Sequence, residues 1–224
     1  MEEKKLSGIL IIDKPKGMTS HDVVNIARRA FDIKKVGHAG TLDPIATGVL
    51  IILVGRATKR FDVLMSGDKE YAVKLRLGVS TDTGDAFGKP VNNTNIQKLT
   101  KGSIEKAVMS FEGEAEQMPP MYSAVKFKGK RLYKLARKGI TVPRQARKIT
   151  IKKLKINEIS LPDVSFEVCC SKGTYIRQLC ADIGDKLGCG AHMAELRRIR
   201  SGNFHISQAI TIDELKNGQA SFLE

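Results

Sequence analysis

The chain has 224 residues, enough for one large domain or two small ones with a sizeable core, and its hydrophobic content of 42% is ordinary for a globular protein. Its charge is not ordinary: 38 Lys and Arg against 24 Asp and Glu leave a net charge of +14, which points to a polyanionic partner, most simply nucleic acid. No apolar run reaches transmembrane length, MEEKK does not read as a secretory leader, and no P-loop or dinucleotide fingerprint is present, which argues against a membrane protein, a secreted one and a nucleotide-cofactor enzyme. The four cysteines, Cys169, Cys170, Cys180 and Cys189, form no CxxC pair and no zinc-ligand spacing, so reduced thiols in a cytoplasmic protein are expected.

Residues 8–13 (GILIID) read as a strand, and Lys14 to Gly17 as the turn that ends it. Ser20 is placed to N-cap a helix over about 21–32, with Val23, Val24, Ala27, Ala30 and Phe31 on one face. Then comes KVGHAGTLDPIATGVLIILVG, from Lys35 to Gly55. Gly37 and Gly40 bracket His38 and permit a tight backbone; Asp43 precedes Pro44, which favours a turn; VLIILVG is a short buried strand. A carboxylate on a glycine-rich loop against a buried strand is one way an active-site acid is presented, and it is equally an ordinary Asp-Pro turn. The residues alone leave both open.

Residues 58–66 read as a short helix, and from Lys69 the pattern alternates, with Tyr71, Val73, Leu75 and Leu77 on one face of a strand. Tyr71 is either a core tyrosine or a ring at a cleft rim, available to stack on a base. The acidic TDTGDAFG does not match an EF-hand loop and reads as a polar turn. A helix over about 103–111 leads into MPPMYSAVKFKGKRLYKLARKG, where Lys126, Lys128, Lys130, Arg131, Lys134, Arg137 and Lys138 are interleaved with Tyr122, Phe127 and Tyr133. Those cations are either a solvated helix face or, with the aromatics, a surface for RNA backbone contacts and base stacking.

Residues 147–159 alternate as a strand with one strongly basic face and pair, across a Pro-Asp turn, with a strand over about 164–170. Thr174 is placed to N-cap the helix that follows, whose buried stripe is Ile176, Leu179, Cys180, Ile183 and Leu187. Arg177 falls in its first turn, where the helix dipole disfavours a cation by about 0.3–1 kcal/mol. It either faces solvent and tolerates that cost or meets a carboxylate from elsewhere. GAHMAELRRIRSGNF is basic again, a last short helix lies near 211–217, and no repeat or linker splits the chain.

Several of these stretches together resemble the TruB family of bacterial tRNA pseudouridine synthases: IDKPKGMTSHD, GHAGTLDPIATGVL, MPPMYSAVKFKGKRLYKLAR, GTYIRQL and GAHMAELRR, in the family's order over nearly the whole chain. The strand pattern argues for an α+β fold. The resemblance implies the pseudouridine synthase fold, with a single central mixed, largely antiparallel sheet flanked by helices and a cleft across its middle. It implies one catalytic domain over 1–224 with a basic RNA-gripping insertion at about 122–146. Family members usually continue into a small C-terminal domain of the PUA type, and that domain is expected to be absent here.

The resemblance further implies an isomerase that converts uridine-55 in the TΨC loop of tRNA to pseudouridine by flipping the base out of its loop. Such an isomerisation needs no cofactor, energy source or metal. Carried over by motif, Asp43 is the catalytic carboxylate and Arg177 pairs with it and holds it oriented. Tyr71 stacks on the target uracil and takes a proton from carbon 5, and His38 displaces and replaces the stacked neighbour of the flipped base. Tyr175 and Leu196 line the base pocket, while Lys126, Lys130, Arg131, Lys134 and Arg137 grip the RNA. The expected partner is the T stem-loop of tRNA, with no guide RNA, no membrane and a monomeric enzyme. Two readings compete: an RNA-binding module, for which a carboxylate beside phosphates has no use, and the catalytic subunit of a guide-RNA complex.

Overall fold

A computed structural model describes residues 6–223, and these divide into two compact units, one running to Ala72 and resuming at Leu196, the other Val73–Glu195. The first unit opens with β1 (Gly8–Lys14) and α1 (Ser20–Phe31). Thr19, not Ser20, caps α1, in a reciprocal box with Asp22 three residues on. The helix buries Val23, Val24, Ile26 and Ala27, while Ala30, expected inside, is exposed. There follow β2 (Val36–Ala39), β3 (Thr47–Val54), a 3₁₀ turn over Gly55–Arg60 and α2 (Phe61–Ser66), so the short helix expected at 58–66 is split between two helix types.

Strand β3 is the spine of this unit. It runs antiparallel to β1 on one side, from Gly8 opposite Val54 to Lys14 opposite Gly48, and antiparallel to β2 on the other. Its uninterrupted apolar run is what a strand buried on both faces requires. Ile9, Ile11, Ala39, Val49, Ile51 and Leu53 form a core cluster, closed by Leu64 and Met65 of α2 and by Phe204 and Ile206.

The division between the units falls inside β4 (Lys69–Leu77), whose Tyr71, Val73, Leu75 and Leu77 are all buried, as the alternation requires. The second unit continues with β5 (Val79–Thr81) and β6 (Pro90–Asn93), a hairpin closed by the acidic turn, then α3 (Lys101–Met109) and β7 (Gly113–Gln117). The basic segment folds as a small hairpin, β8 (Lys126–Phe127) and β9 (Lys130–Arg131), leading into α4 (Leu132–Ala136). Long β10 (Arg147–Ser160) pairs antiparallel with β11 (Asp163–Cys170) and with β7, giving the order β4–β11–β10–β7.

Helix α5 (Ile176–Lys186) is capped by Tyr175 without a side-chain bond. The expected cap, Thr174, instead turns its hydroxyl back to the Ser171 carbonyl at 3.0 Å, a local alternative that threonine side chains readily take. Its stripe is buried as expected except for Leu187, which is half-buried at the C-cap.

The chain returns to the first unit within β12 (Ala191–Ser201), which pairs parallel with β3 at Arg197–Thr47 and Arg198–Gly48. A short β13 (Phe204–His205) and α6 (Ile212–Lys216), capped by Thr211, complete it. The architecture is therefore α+β, with antiparallel pairings and one parallel pair at β3–β12. Among the described residues no helix is long and apolar enough to cross a membrane.

Candidate active site

In the first unit the Gly40–Ala46 loop is inserted between β2 and β3. Leu42, Ile45 and Ala46 are buried, Thr41 and Pro44 are exposed, and Asp43 is half-buried between them. The Ala46 amide donates to the Asp43 carbonyl at 3.0 Å, the tight turn that an Asp-Pro pair favours. The loop's apolar residues thus anchor it while one carboxylate stays partly accessible.

Three buried polar side chains hold this loop, and the sequence had marked none of them for that task. Ser20 Oγ accepts from the Leu42 amide at 2.9 Å and donates to the Leu42 carbonyl at 3.1 Å, fixing both backbone groups of the residue before Asp43. Arg198, 1% exposed, donates from Nε to Val49 O at 2.7 Å and from Nη2 to Gly40 O at 2.9 Å, with Thr41 O 3.5 Å from Nη1. Lys14, fully buried, donates to the carbonyls of Pro15 at 2.8 Å and Met18 at 2.7 Å, and lies 3.5 Å from that of Pro44. Burial, reinforced by the nearby Arg198, lowers the Lys14 ammonium to about 8, although Asp43 and Asp22 pull the other way.

His38, on β2, is half-buried, and burial together with Arg198 and His21 pushes its imidazole below the ordinary range. It is therefore mainly neutral at pH 7. Its Nδ1 is buried and meets no hydrogen-bond partner among the described residues. Tyr71, 9% exposed, belongs to the buried face of β4, and Leu196, 7% exposed, lies on β12 with its carbonyl accepting from Thr47 Oγ1 at 3.4 Å.

In the second unit Arg177 is 6% exposed, so the solvent-facing alternative is overturned. Its Nη1 donates to Thr83 O at 2.8 Å and its Nη2 to Tyr122 O at 2.7 Å, and Nε lies 3.8 Å from Asp85 Oδ2. A carboxylate thus offsets the cation's place in the first turn. It comes from the segment read only as a polar turn, whose Asp85 is buried and braced by Thr83 Oγ1 and the Phe87 amide. Tyr175 is held from behind by buried Gln117, which accepts from its amide at 2.8 Å and donates to its carbonyl at 3.1 Å. Lys126, Lys130, Arg131, Lys134 and Arg137 are at the surface, and Arg137 lies 5.5 Å from the Tyr133 ring centroid.

The arrangement offers a partly accessible carboxylate on a rigid loop in the first unit. In the second it offers a guanidinium fixed by carbonyls and a basic, aromatic-bearing surface. Sequence could have found one of the missed residues: Asp85 was visible as the second of the two acids of TDTGDAFG. Nothing local marks Lys14, Ser20, Gln117 or Arg198.

Residues 28–176 match the model of the TruB family pseudouridylate synthase N-terminal domain, and residues 177–223 that of the tRNA pseudouridylate synthase B C-terminal domain. The chain is 50% identical over 210 residues to a protein named tRNA pseudouridine synthase B from Clostridium tetani, covering 94% of this chain and 73% of that one. A protein of the same name from Clostridium kluyveri is 53% identical, with 94% and 72% covered, and one from Nitrosococcus oceani 46%, with 94% and 68%. Among solved structures, a chain of a Cbf5–Nop10–Gar1 complex superposes with a TM-score of 0.74 at 34% identity. A chain of the archaeal box H/ACA sRNP Nop10–Cbf5 complex does so at 0.70 and 33%. Each match covers 94% of this chain, which spans about half the length of those two, at 54% and 53%.

Proposed function

The chain belongs to the TruB family of pseudouridylate synthases, isomerases that turn uridine into pseudouridine, and we propose that it acts on uridine-55 in the TΨC loop of tRNA. The observation that carries this reading is the half-buried Asp43 on a loop clamped by Ser20, Lys14 and Arg198. The reaction breaks the bond from the anomeric carbon to N1, turns the uracil and forms a bond from the same carbon to C5, whose hydrogen is lost to solvent. Its three routes, attack on the sugar, attack on the base or removal of a sugar proton, each need a carboxylate beside the nucleoside, and a loop aspartate held this firmly suits all of them.

The target base is buried in a folded loop and must be flipped out to react. The neutral His38 ring displaces and replaces the stacked neighbour of the flipped base, Tyr71 stacks on the uracil and takes the C5 proton, and Tyr175 and Leu196 contact that base. Arg177 supplies the fixed guanidinium of the site. Lys126, Lys130, Arg131, Lys134 and Arg137 bind phosphates of the T stem-loop. The protein works as a cytoplasmic monomer on naked tRNA.

A second reading, catalysis directed by a guide RNA, is raised by the Cbf5 neighbours, one of them from a box H/ACA sRNP. The near-50% identity to proteins named for tRNA favours the first. One assay separates them: tritium release from unmodified tRNA labelled at C5 of its uridines, with no guide present, for wild type and Asp43→Asn. Release by wild type alone, limited to one uridine per tRNA, supports the stand-alone synthase. Tight binding without release overturns it.

A further inference from the structure

Outside the loop that carries Asp43, the second unit holds a cavity of about 460 Å³ between the β8–β9 hairpin and residues 143–147. That volume lies within the range of small-molecule sites, about 300–1,000 Å³. Val125, Leu132 and the prolines 119 and 143 are among its lining residues, and Phe127 adds an aromatic ring. Lys126, Lys128, Arg144 and Arg147 supply its cations, and no carboxylate is among the described residues that line it. A lining that combines apolar side chains, one aromatic ring and four cations with no carboxylate suits a nucleotide, which brings a flat base and an anionic phosphate.

The walls are built rather than accidental. Arg144 donates from Nη1 to the Pro119 carbonyl at 2.9 Å, holding the far wall, while the Leu132 amide donates to Val125 O at 2.8 Å and the Tyr133 amide to Ser123 O at 3.0 Å, holding the near one. The hairpin turns on Lys128 and Gly129, both at positive φ, +46° and +79°. Such a turn favours Asn-Gly, so a lysine at its first position is carried at a conformational cost. It places Nζ 5.7 Å from the Phe127 ring centroid, a cation beside an aromatic face.

We propose that this cavity binds a second nucleotide of the RNA substrate, distinct from the uridine that reacts, with its base against Phe127 and its phosphate on Lys128 and Arg144. The proposal rests on the RNA-isomerase reading and deepens it, since the insertion then recognises an unstacked base as well as backbone charge.

The test is the affinity of T-arm stem-loop RNAs, each carrying one abasic nucleotide, for wild type, Phe127→Leu and Lys128→Asn. At one loop position other than the reacting uridine, the abasic change weakens wild-type binding about tenfold, as expected when one base–aromatic stack is removed, and has no further effect in Phe127→Leu. Lys128→Asn relaxes the turn, so it leaves the melting temperature undiminished while lowering affinity and making the salt dependence shallower by about one unit of slope. Abasic losses that add to Phe127→Leu at every position, Phe127→Leu binding like wild type, or unchanged affinity in Lys128→Asn would each overturn the proposal. Tritium release is scored in parallel. Turnover without the coupling refutes only the cavity, and coupling without turnover refutes only the isomerase reading.

Discussion

Lys14 and Arg198 flank Gly48 in one row of paired residues across β1, β3 and β12, and both bury their charged ends against the loop that carries Asp43. Gly40 and Pro44, which bracket Asp43 in the chain, are thus tied to strands on opposite sides of β3. Two buried cations are costly unless their donors are used, and here main-chain carbonyls use them.

Arg198→Met strips donors from the Gly40 and Val49 carbonyls at about 1–3 kcal/mol for each buried group left unsatisfied. A displacement near 1 Å in the loop is enough to lower kcat about 10²-fold. RNA affinity stays within a few fold, since the side chain is enclosed. Arg198→Lys, which keeps the charge but not the fork, recovers part of kcat. Equal losses in kcat and affinity would contradict a positioning role.

Lys14 gives the alkaline side of the pH profile. Below about pH 8 its ammonium serves the Pro15, Met18 and Pro44 carbonyls, and above it the group becomes an amine with one N–H fewer and no charge. Wild-type kcat therefore declines above about pH 8, and Lys14→Met, slower throughout, lacks that limb. Stability moves oppositely. With its folded pKa below the ordinary 10.5, the group disfavours the folded state below pH 8, and that penalty fades as pH rises from 8 towards 10.5. An alkaline limb that persists in Lys14→Met assigns it to another group.

Gly48 has φ +95°, and a Cβ there would lie 2.2 Å from the Arg198 carbonyl oxygen and 2.9 Å from its amide nitrogen. Gly48→Ala combines left-handed strain with a clash against backbone, for about 3 kcal/mol of destabilisation. Thermal melting should show a midpoint about 10 °C lower. A shift under about 3 °C would mean that β12 yields at this point.

Exposed Lys130 and Arg131 lie together on β9. Changing each to Gln flattens the dependence of log affinity on log salt by about one unit of slope for every phosphate no longer neutralised, and weakens all tRNAs alike. Binding titrations between roughly 50 and 200 mM salt read this directly. A flat wild-type dependence would refute phosphate binding by the insertion.

What could be read from the chain was what is encoded locally. The alternation of Tyr71, Val73, Leu75 and Leu77 requires a strand with one buried face, and the β10–β11 pair follows from two alternating runs around a Pro-Asp turn. The Asp43 loop announced itself by its glycines, its Asp-Pro pair and the apolar strand behind it. The cap of α1 was misplaced although its signal was local: Thr19 and Asp22 make the box, while Ser20 is drawn away to Leu42.

The rest was decided by packing. Arg197 and Arg198 are adjacent in a basic run, yet period-two geometry turns Arg197 towards a salt bridge with Asp13 at 2.6 Å and sends Arg198 into the core. Arg177 likewise becomes a buried cation because carbonyls of residues 83 and 122 and the Asp85 carboxylate meet it there. Residue order alone was enough to set which segments form strands and helices and where a reactive carboxylate could be offered. Which cations are sealed inside to hold that loop was settled only in three dimensions, because their partners are backbone carbonyls, which every residue carries and no sequence pattern distinguishes.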